Sequence, residues 1–292
     1  MSEAPPSFDL QSHSLHSDGE LPPREVVESA SAAGVELLAL TDHDSAEGIE
    51  EALDAADASG LRLAPAVEIS TADSDQPDLH ILGYLIDHRD RALSDWLRNS
   101  RTSRERRAWE MADAIKELGY EIDEQQLRDR EQQGKSIGRP HLAGAVVSHP
   151  ANSERLAAEG LNEPSAFLVE YLIEGRPAFR ARQAPTVKEA IDVIQAAGGV
   201  AVWAHPFWDI ESPGVVLETL ERFVAIGLDG VECFYVTHDR DQTELLADRC
   251  EQLNLLSTGS SDFHGPGHRQ FSRFRAFSTY GRTPVLGPIA LG

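Results

Sequence analysis

Side chains that bind divalent metals recur in short segments far apart in the sequence, and each segment follows or interrupts an apolar, strand-like run. Imidazole nitrogens and carboxylate oxygens are the donors that Zn²⁺ and related cations bind in proteins. A barrel of parallel strands would bring such side chains together, because all its strands end at one face. The segments carry these candidate ligands: His13, Asp18, His43, Glu68, His80, His205, Asp262 and His264. The pattern predicts a centre for two or three divalent metals, with a carboxylate such as Glu68 bridging.

Several of these segments have a simpler interpretation when each is taken alone. Asp18-Gly19 is typical of a turn, and Asp44 or Ser45 could cap the helix that follows. Glu68 interrupts an apolar strand, where an unpaired carboxylate would be costly, so it requires a metal or an arginine as partner. The repetition at five strand ends favours a shared metal site over separate explanations.

Strands alternate with helices in both halves of the chain. The predicted strands are residues 8–12, 36–40, 63–69, 79–85, 200–204, 230–234 and 255–259. Helical spacing of apolar residues lies between most of them, for example over residues 46–59, 187–197, 214–226 and 243–253. Such alternation predicts parallel α/β packing, and seven strands with ligands at their C-terminal ends favour a barrel over an open sheet.

The β-branched apolar runs stop after residue 85, and helical patterns dominate until about residue 185. We therefore expect residues 1–88 and 186–292 to form one barrel. Residues 89–185 are expected to form a helical insertion that acts as a lid over the substrate.

The charge pattern limits the classes of partner. The net charge of −23 opposes indiscriminate nucleic-acid binding, and twelve of the 26 basic residues lie between Arg89 and Arg139. We expect a small or short phosphorylated substrate and no duplex nucleic acid. No apolar run reaches the ~18 residues of a membrane span and the N-terminus has no signal-like region, so we expect a cytoplasmic protein without membrane contact. The sequence gives no indication of oligomeric state.

The order and spacing of the motifs resemble those of the polymerase and histidinol phosphatase (PHP) domain phosphoesterases. The matching segments are His13-Ser14-x-x-Ser17-Asp18-Gly19, Leu40-Thr41-Asp42-His43-Asp44, Val67-Glu68-Ile69-Ser70, His80-Ile81-Leu82-Gly83, Ala204-His205-Pro206 and Ser261-Asp262-Phe263-His264. The nearest resemblance is to the TrpH-like subgroup, which includes a 3′,5′-nucleoside bisphosphate phosphatase and the 5′→3′ exoribonuclease RNase AM. It implies an α/β fold, namely a distorted (β/α)7 barrel with a helical insertion.

The resemblance also divides the ligands among three metals. It implies that the first metal is held by His13, Glu68 and Asp262 together with residue 11. The second metal would be held by Glu68, His80 and His205. The third would be held by Asp18, His43 and His264. The family has His at position 11, whereas this chain has Gln11, whose neutral amide oxygen binds transition metals more weakly than imidazole. We therefore expect a weaker first site.

The implied reaction is hydrolysis of phosphate esters, either of small nucleotides such as 3′,5′-bisphosphates or of short RNA 5′ ends. A hydroxide bridging two Mn, Fe or Zn ions would attack, and Arg139 and Arg176 match positions where the subgroup binds phosphate. Catalytic roles are implied for Glu68, His205, Asp262 and His264. Protonation of the leaving oxygen by His205, by His264 or by water stays open.

Two alternatives remain beside this reading. The first is an amidohydrolase-type enzyme on the same barrel, although no lysine ends a predicted strand to form a carbamylated metal bridge. The second is a catalytically weakened metal-binding protein of the PHP type, which Gln11 motivates.

Overall fold

A seven-stranded sheet forms the frame of the protein, whose computed structural model describes residues 6–73, 76–132, 137–180 and 184–292. The strands follow one another in sequence order around the sheet. They are β1 (Phe8–Asp9), β2 (Leu37–Leu40), β3 (Arg62–Asp73), β4 (Gln76–Tyr84), β5 (Val200–Trp203), β6 (Gly230–Tyr235) and β7 (Leu256–Ser260). The first and last strands meet, because the N–H of Leu10 donates to the carbonyl of Gly259 at 3.2 Å. The predicted seven-stranded barrel is therefore confirmed, in a nearly closed form.

Strand β4 departs from the expected parallel arrangement. It is antiparallel to both β3 and β5, whereas the other neighbouring pairs are parallel. β3 ends at Asp73 and β4 begins at Gln76, and so short a connection cannot contain the crossover that parallel neighbours need. The prediction of parallel strands throughout is wrong at β4. His80 consequently reaches the site from within an antiparallel strand.

Strand β3 is also longer than predicted, and its length positions Glu68. The pairing of β2 with β3 ends at Leu40 and Pro65, while β3 continues to Asp73. Glu68 therefore lies just beyond the end of β2, where it forms an isolated bridge with His43.

The helices begin and end as follows: α1 (Pro23–Ala32), α2 (Ile49–Ser59), α3 (Arg91–Glu117), α4 (Glu124–Gln132), α5 (Arg139–Val147), α6 (Ser153–Glu159), α7 (Pro164–Tyr171), α8 (Val187–Ala196), α9 (Pro206–Asp209), α10 (Pro213–Ala225) and α11 (Arg240–Leu253). None of the helices in the described ranges is long and apolar enough to cross a membrane.

Local sequence explains these elements well. In α8, Val187, Ala190, Ile191 and Ile194 recur at helical spacing and are all buried. Thr186 caps this helix by accepting from the Glu189 N–H at 3.2 Å, and the Glu189 side chain accepts in return from the Thr186 N–H.

The chain forms two compact units. One comprises Met1–Arg98 with Pro185–Gly292 and the other Asn99–Ala184, and they are called here the barrel unit and the helical unit. The barrel unit buries a core that includes Val67, Ile81, Trp203 and Phe234. The helical unit has its own core of apolar side chains, among them Ile115, Leu142 and Phe167.

Candidate functional site

The structure brings all the predicted metal ligands together in the barrel unit. Each comes from a strand or from the loop after one: His13 and Asp18 after β1, His43 after β2, Glu68 in β3, His80 in β4, His205 after β5, and Asp262 and His264 after β7. Most are buried, including His13, Glu68, His205 and Asp262.

Glu68 lies at the centre of this cluster and is fully buried. Its Oε1 is 3.1 Å from Nδ1 of His80 and 3.2 Å from Nε2 of His205. Its Oε2 is 3.2 Å from Nε2 of His13 and 3.6 Å from Nδ1 of His43. One carboxylate thus faces two pairs of imidazoles through its two oxygens, an arrangement suited to a ligand that bridges two cations.

Two aspartates complete the cluster on the His13 side. Oδ1 of Asp262 lies 3.0 Å from Nε2 of His13 and 3.6 Å from Nδ1 of His264. Oδ1 of Asp18 lies 3.5 Å from Nδ1 of His13 and from Nε2 of His264, and its Oδ2 lies 3.6 Å from Nε2 of His43.

The donor atoms fit divalent cations. Three overlapping groups hold one donor atom from each member within 4.8 Å of the others: His13, Glu68 and Asp262; His43, Glu68 and His80; and His13, Asp18, His43 and His264. Several buried donors make no hydrogen bond with the described residues, namely Nε2 of His13, Nδ1 of His43, Oδ1 of Asp18 and Oδ1 of Asp262. Leaving a buried polar atom unpaired costs about 1–3 kcal/mol. Cations between these donors would satisfy them.

Electrostatics favour the metal-binding form of the carboxylates and of His43. Burial raises the pKa of Glu68, but the His43 and His80 imidazoles outweigh it, so the pKa lies well below its ordinary value. Burial likewise opposes ionisation of Asp262, yet His264 and His13 lower its pKa to about 2. Burial lowers the pKa of His43 to about 4. Carboxylates and neutral imidazole are the forms that coordinate a metal.

The pKa of His13 is shifted in the opposite direction from that of His43. Burial alone would lower the pKa of His13, but the neighbouring Asp262 and Glu68 carboxylates raise it well above its ordinary value. A cation bound to those carboxylates would compete with this proton, because metal binding releases protons from its ligands.

Gln11 contacts the cluster through its nitrogen. Its amide nitrogen donates to Oε2 of Glu68 at 2.9 Å, and its amide oxygen accepts from the Ser260 hydroxyl at 3.3 Å. In this orientation the amide nitrogen holds the Glu68 carboxylate, and the amide oxygen, which is the atom that could bind a cation, faces Ser260.

We predict that Gln11→His raises the affinity of the His13–Asp262 site for Mn²⁺ about 10-fold or more, the scale on which ligand-shell changes act. An imidazole at position 11 would add a donor where the amide presents only N–H groups. Isothermal titration of the metal-depleted protein with Mn²⁺ measures this, and Gln11→Asn, whose shorter amide adds no donor, is the control. Equal Mn²⁺ affinity in Gln11→His and wild type would contradict the prediction.

Asp42 lies in a predicted motif but has a positioning role. Its carboxylate accepts three hydrogen bonds at 2.7 Å, from the N–H and the hydroxyl of Ser14 and from the hydroxyl of Ser17. These bonds fix the loop that carries His13 and Asp18.

Two further residues, which were not predicted from the sequence, support the cluster. Glu232 is buried in β6, where its carboxylate accepts from the His205 N–H at 2.9 Å and from the Ser260 hydroxyl at 2.6 Å. Burial raises its pKa to about 8. The Tyr235 hydroxyl donates to Oδ2 of Asp262 at 2.7 Å. Glu232 interrupts an apolar strand as Glu68 does, so the same signal could have found it.

A backbone carbonyl fixes the ring of His264, and a carboxylate lies near the outer nitrogen of His205. Nδ1 of His264 donates to the backbone carbonyl of Asp262 at 2.7 Å, which leaves Nε2 facing Asp18. Nδ1 of His205 lies 3.6 Å from the Asp209 carboxylate, while Nε2 faces Glu68. A hydrogen-bonded partner such as that of His264 fixes the tautomer of a metal-binding imidazole.

Unusual backbone geometry accompanies three residues at these strand ends. Asp44, His205 and Asp262 have φ angles of 50°, 29° and 54°. Non-glycine residues adopt this left-handed region at an energetic cost, and such strain persists where surrounding contacts hold it. At His205 and Asp262 the strained residue itself provides a candidate ligand.

A small pocket of about 120 Å³ opens onto the cluster. The side chains that line it are His43, Glu68, His80, His205, Trp208, Tyr235, Asp262, His264 and Phe271. Sites for drug-sized ligands measure about 300–1,000 Å³, so this pocket would admit a phosphate group and little more.

The two predicted phosphate contacts belong to the helical unit and not to the unit that carries the cluster. Arg139 is the first residue of α5, and Arg176 lies after α7 with its guanidinium 3.5 Å from the Glu170 carboxylate.

Residues 9–134 match the PHP domain family. A 5′-3′ exoribonuclease of Haemophilus influenzae is 35% identical over 263 residues, which are 89% of this chain and 90% of the relative. A 3′,5′-nucleoside bisphosphate phosphatase of Chromobacterium violaceum is 31% identical over 261 residues, 89% of this chain and 88% of the relative. Among solved structures, a protein of Bifidobacterium adolescentis proposed to be a metal-dependent phosphoesterase has a TM-score of 0.74 at 29% identity, and the match covers 91% of each chain.

Proposed function

Because this chain belongs to the PHP domain family of metal-dependent phosphoesterases, we propose that it hydrolyses phosphate esters of small nucleotides, such as 3′,5′-bisphosphates, or of the 5′ ends of short RNA. The observation that carries the proposal is the Glu68-centred cluster at the base of a pocket large enough for one phosphate group. The net charge of −23 supports a short substrate over a duplex.

The histidines and carboxylates of the cluster would hold the metals. We propose two or three divalent cations, Mn, Fe or Zn, at the three overlapping groups of donors. When bound, such cations generate a nucleophile from water at neutral pH and neutralise charge on the phosphate oxygens. Glu68 would join two of them, since its two oxygens face different histidines.

The remaining contacts orient these ligands. The Tyr235 hydroxyl holds Asp262, the Asp209 carboxylate faces the outer nitrogen of His205, and the amide of Gln11 holds Glu68. Nδ1 of His264 donates its proton to a backbone carbonyl, which leaves Nε2 free to bind a cation. This arrangement suits a metal ligand better than a proton donor to the leaving oxygen.

We also propose that Arg139 and Arg176 bind a phosphate group of the substrate and that residues 89–185 serve as a lid. The planar guanidinium matches two phosphate oxygens. Arg139 stands at the N-terminus of α5, where the helix dipole favours an anion.

The test is phosphate release from adenosine 3′,5′-bisphosphate and from a 5′-phosphorylated RNA pentamer. We predict that EDTA treatment lowers turnover of the preferred substrate about 10³-fold or more and that added Mn²⁺ restores it, because the donor set depends on the cation. The ratio of the two rates assigns phosphatase or exoribonuclease. Counting metals on the same samples relates activity to occupancy.

Other outcomes would favour the alternatives. Full turnover after complete metal removal would exclude a metal-dependent reaction. Bound metal with no hydrolysis of either phosphate ester would favour a catalytically weakened protein. An amidohydrolase with a carbamylated lysine has no support in the described part of the chain, where Lys116 and Lys188 are exposed helical residues paired with aspartates.

A further inference from the structure

Trp208 is half-exposed at the pocket that opens onto the metal cluster. It is 50% exposed and is the one aromatic among the large exposed hydrophobic side chains in the described ranges. It also lines the pocket together with Glu68, His205 and Asp262. A large apolar ring left in water beside a reactive site suggests that a ligand covers it.

The position of Trp208 relative to the cluster is fixed. It belongs to the short helix α9, and its N–H donates to the carbonyl of the ligand His205 at 2.8 Å. Its ring lies 5.6 Å from the ring of Phe271, which is buried and stacks on His268 at 5.1 Å. Phe271 also lines the pocket, so an aromatic wall extends from the cluster to the protein surface.

Positive charge accompanies this wall. Arg269 and Arg273 flank Phe271 on the loop that follows His264, and both are exposed. Neither pairs with a carboxylate among the residues that the structure describes, whereas Arg222 and Arg249 elsewhere do so at 2.5 Å. Unpaired arginines on the loop that carries an aromatic wall residue, in a chain of net charge −23, are typical of a surface that binds nucleotides.

We propose that Trp208 is the stacking platform for the base of the nucleotide whose phosphate enters the pocket, an inference that rests on the proposed nucleotide substrate. The pocket accommodates the phosphate group, so the base must lie outside it. Stacking on an aromatic face tolerates any base, since every base has a π-face. Trp208 is thus a residue that selects nucleotides over other phosphate esters.

The kinetic test compares two substrates that differ only in the base. These are adenosine 3′,5′-bisphosphate and its abasic analogue 1,4-anhydroribitol 3,5-bisphosphate. Trp208→Ala is expected to raise KM for the nucleotide about 10-fold or more and to leave KM for the abasic analogue unchanged, with Trp208→Phe close to wild type. Val285→Ala, at another exposed apolar residue, is the control. An equal increase in KM for both substrates, or an unchanged KM for the nucleotide, would overturn the proposal.

A binding measurement separates this inference from the proposed function. AMP is expected to quench the tryptophan emission of the wild-type protein and to leave that of Trp208→Phe unchanged, while ribose 5-phosphate quenches neither. Quenching by AMP without hydrolysis of the nucleotide or of its abasic analogue would support the stacking site and refute the proposed reaction. Hydrolysis of the nucleotide without quenching by AMP would support the proposed reaction and refute the stacking site.

Discussion

Glu68→Gln is expected to lower phosphate release about 10³-fold or more, the scale set by removing a charged group from a preorganised site. Glu68 is the carboxylate that faces His13, His43, His80 and His205 from within 3.6 Å. The amide has the same shape but no charge, and its nitrogen cannot bind a cation. We therefore expect the metal content to fall with the rate.

The matched control for this variant is Glu232→Gln. Glu232 is also a buried glutamate in a strand of the barrel, but its oxygens already accept from Ser260 and from the His205 N–H. Metal content and phosphate release are measured for both variants under the same conditions, and we expect a loss of less than about 10-fold for Glu232→Gln. A Glu68→Gln protein with wild-type rate and metal content would refute a Glu68-centred site.

Asp42→Ala is expected to lower the free energy of unfolding by about 3 kcal/mol, because it leaves three buried donors without their acceptor. Those donors are the N–H and hydroxyl of Ser14 and the hydroxyl of Ser17. The loop they belong to carries His13 and Asp18, so we also expect weaker metal binding. Thermal unfolding of the metal-depleted protein should show a decrease in Tm of about 5–10 °C.

Two variants sharpen this test. Asp57→Ala replaces an exposed aspartate on α2 and should change stability by no more than about 0.5 kcal/mol. Asp42→Asn keeps one acceptor oxygen and should lie between Asp42→Ala and the wild type. If Asp42→Ala unfolds at the wild-type temperature, the hydrogen bonds to Ser14 and Ser17 do not hold the loop.

The sequence predicted those features that depend on residue type and local order. Apolar runs predicted the seven strands. The His, Asp and Glu residues that follow or interrupt these runs were predicted as ligands, and they meet around Glu68. This worked because a strand fixes which way its side chains alternate, and because the loops after the strands are short enough to keep their residues near the barrel.

Sequence reasoning failed where two distant segments had to be placed against each other. The direction of β4 depended on the short connection after Asp73, and the prediction gave it the wrong orientation. Gln11 was judged by its residue type as a weak ligand, yet its contacts lie 57 and 249 residues away in Glu68 and Ser260. Only their relative positions turn its nitrogen towards the carboxylate.

By itself, the sequence determined the kind of chemistry, since a fixed set of imidazoles and carboxylates at strand ends can bind only a limited range of cations. The tertiary structure alone decided which atoms face each other. In the folded protein, Asp42 and Gln11 hold parts of the cluster by hydrogen bonds. Glu232 and Tyr235 contact candidate ligands, and Trp208 lines the pocket beside them. The reason is physical: hydrogen bonds and metal coordination depend on distances within about 0.5 Å, and such distances are set by the packing of the whole barrel and not by local sequence.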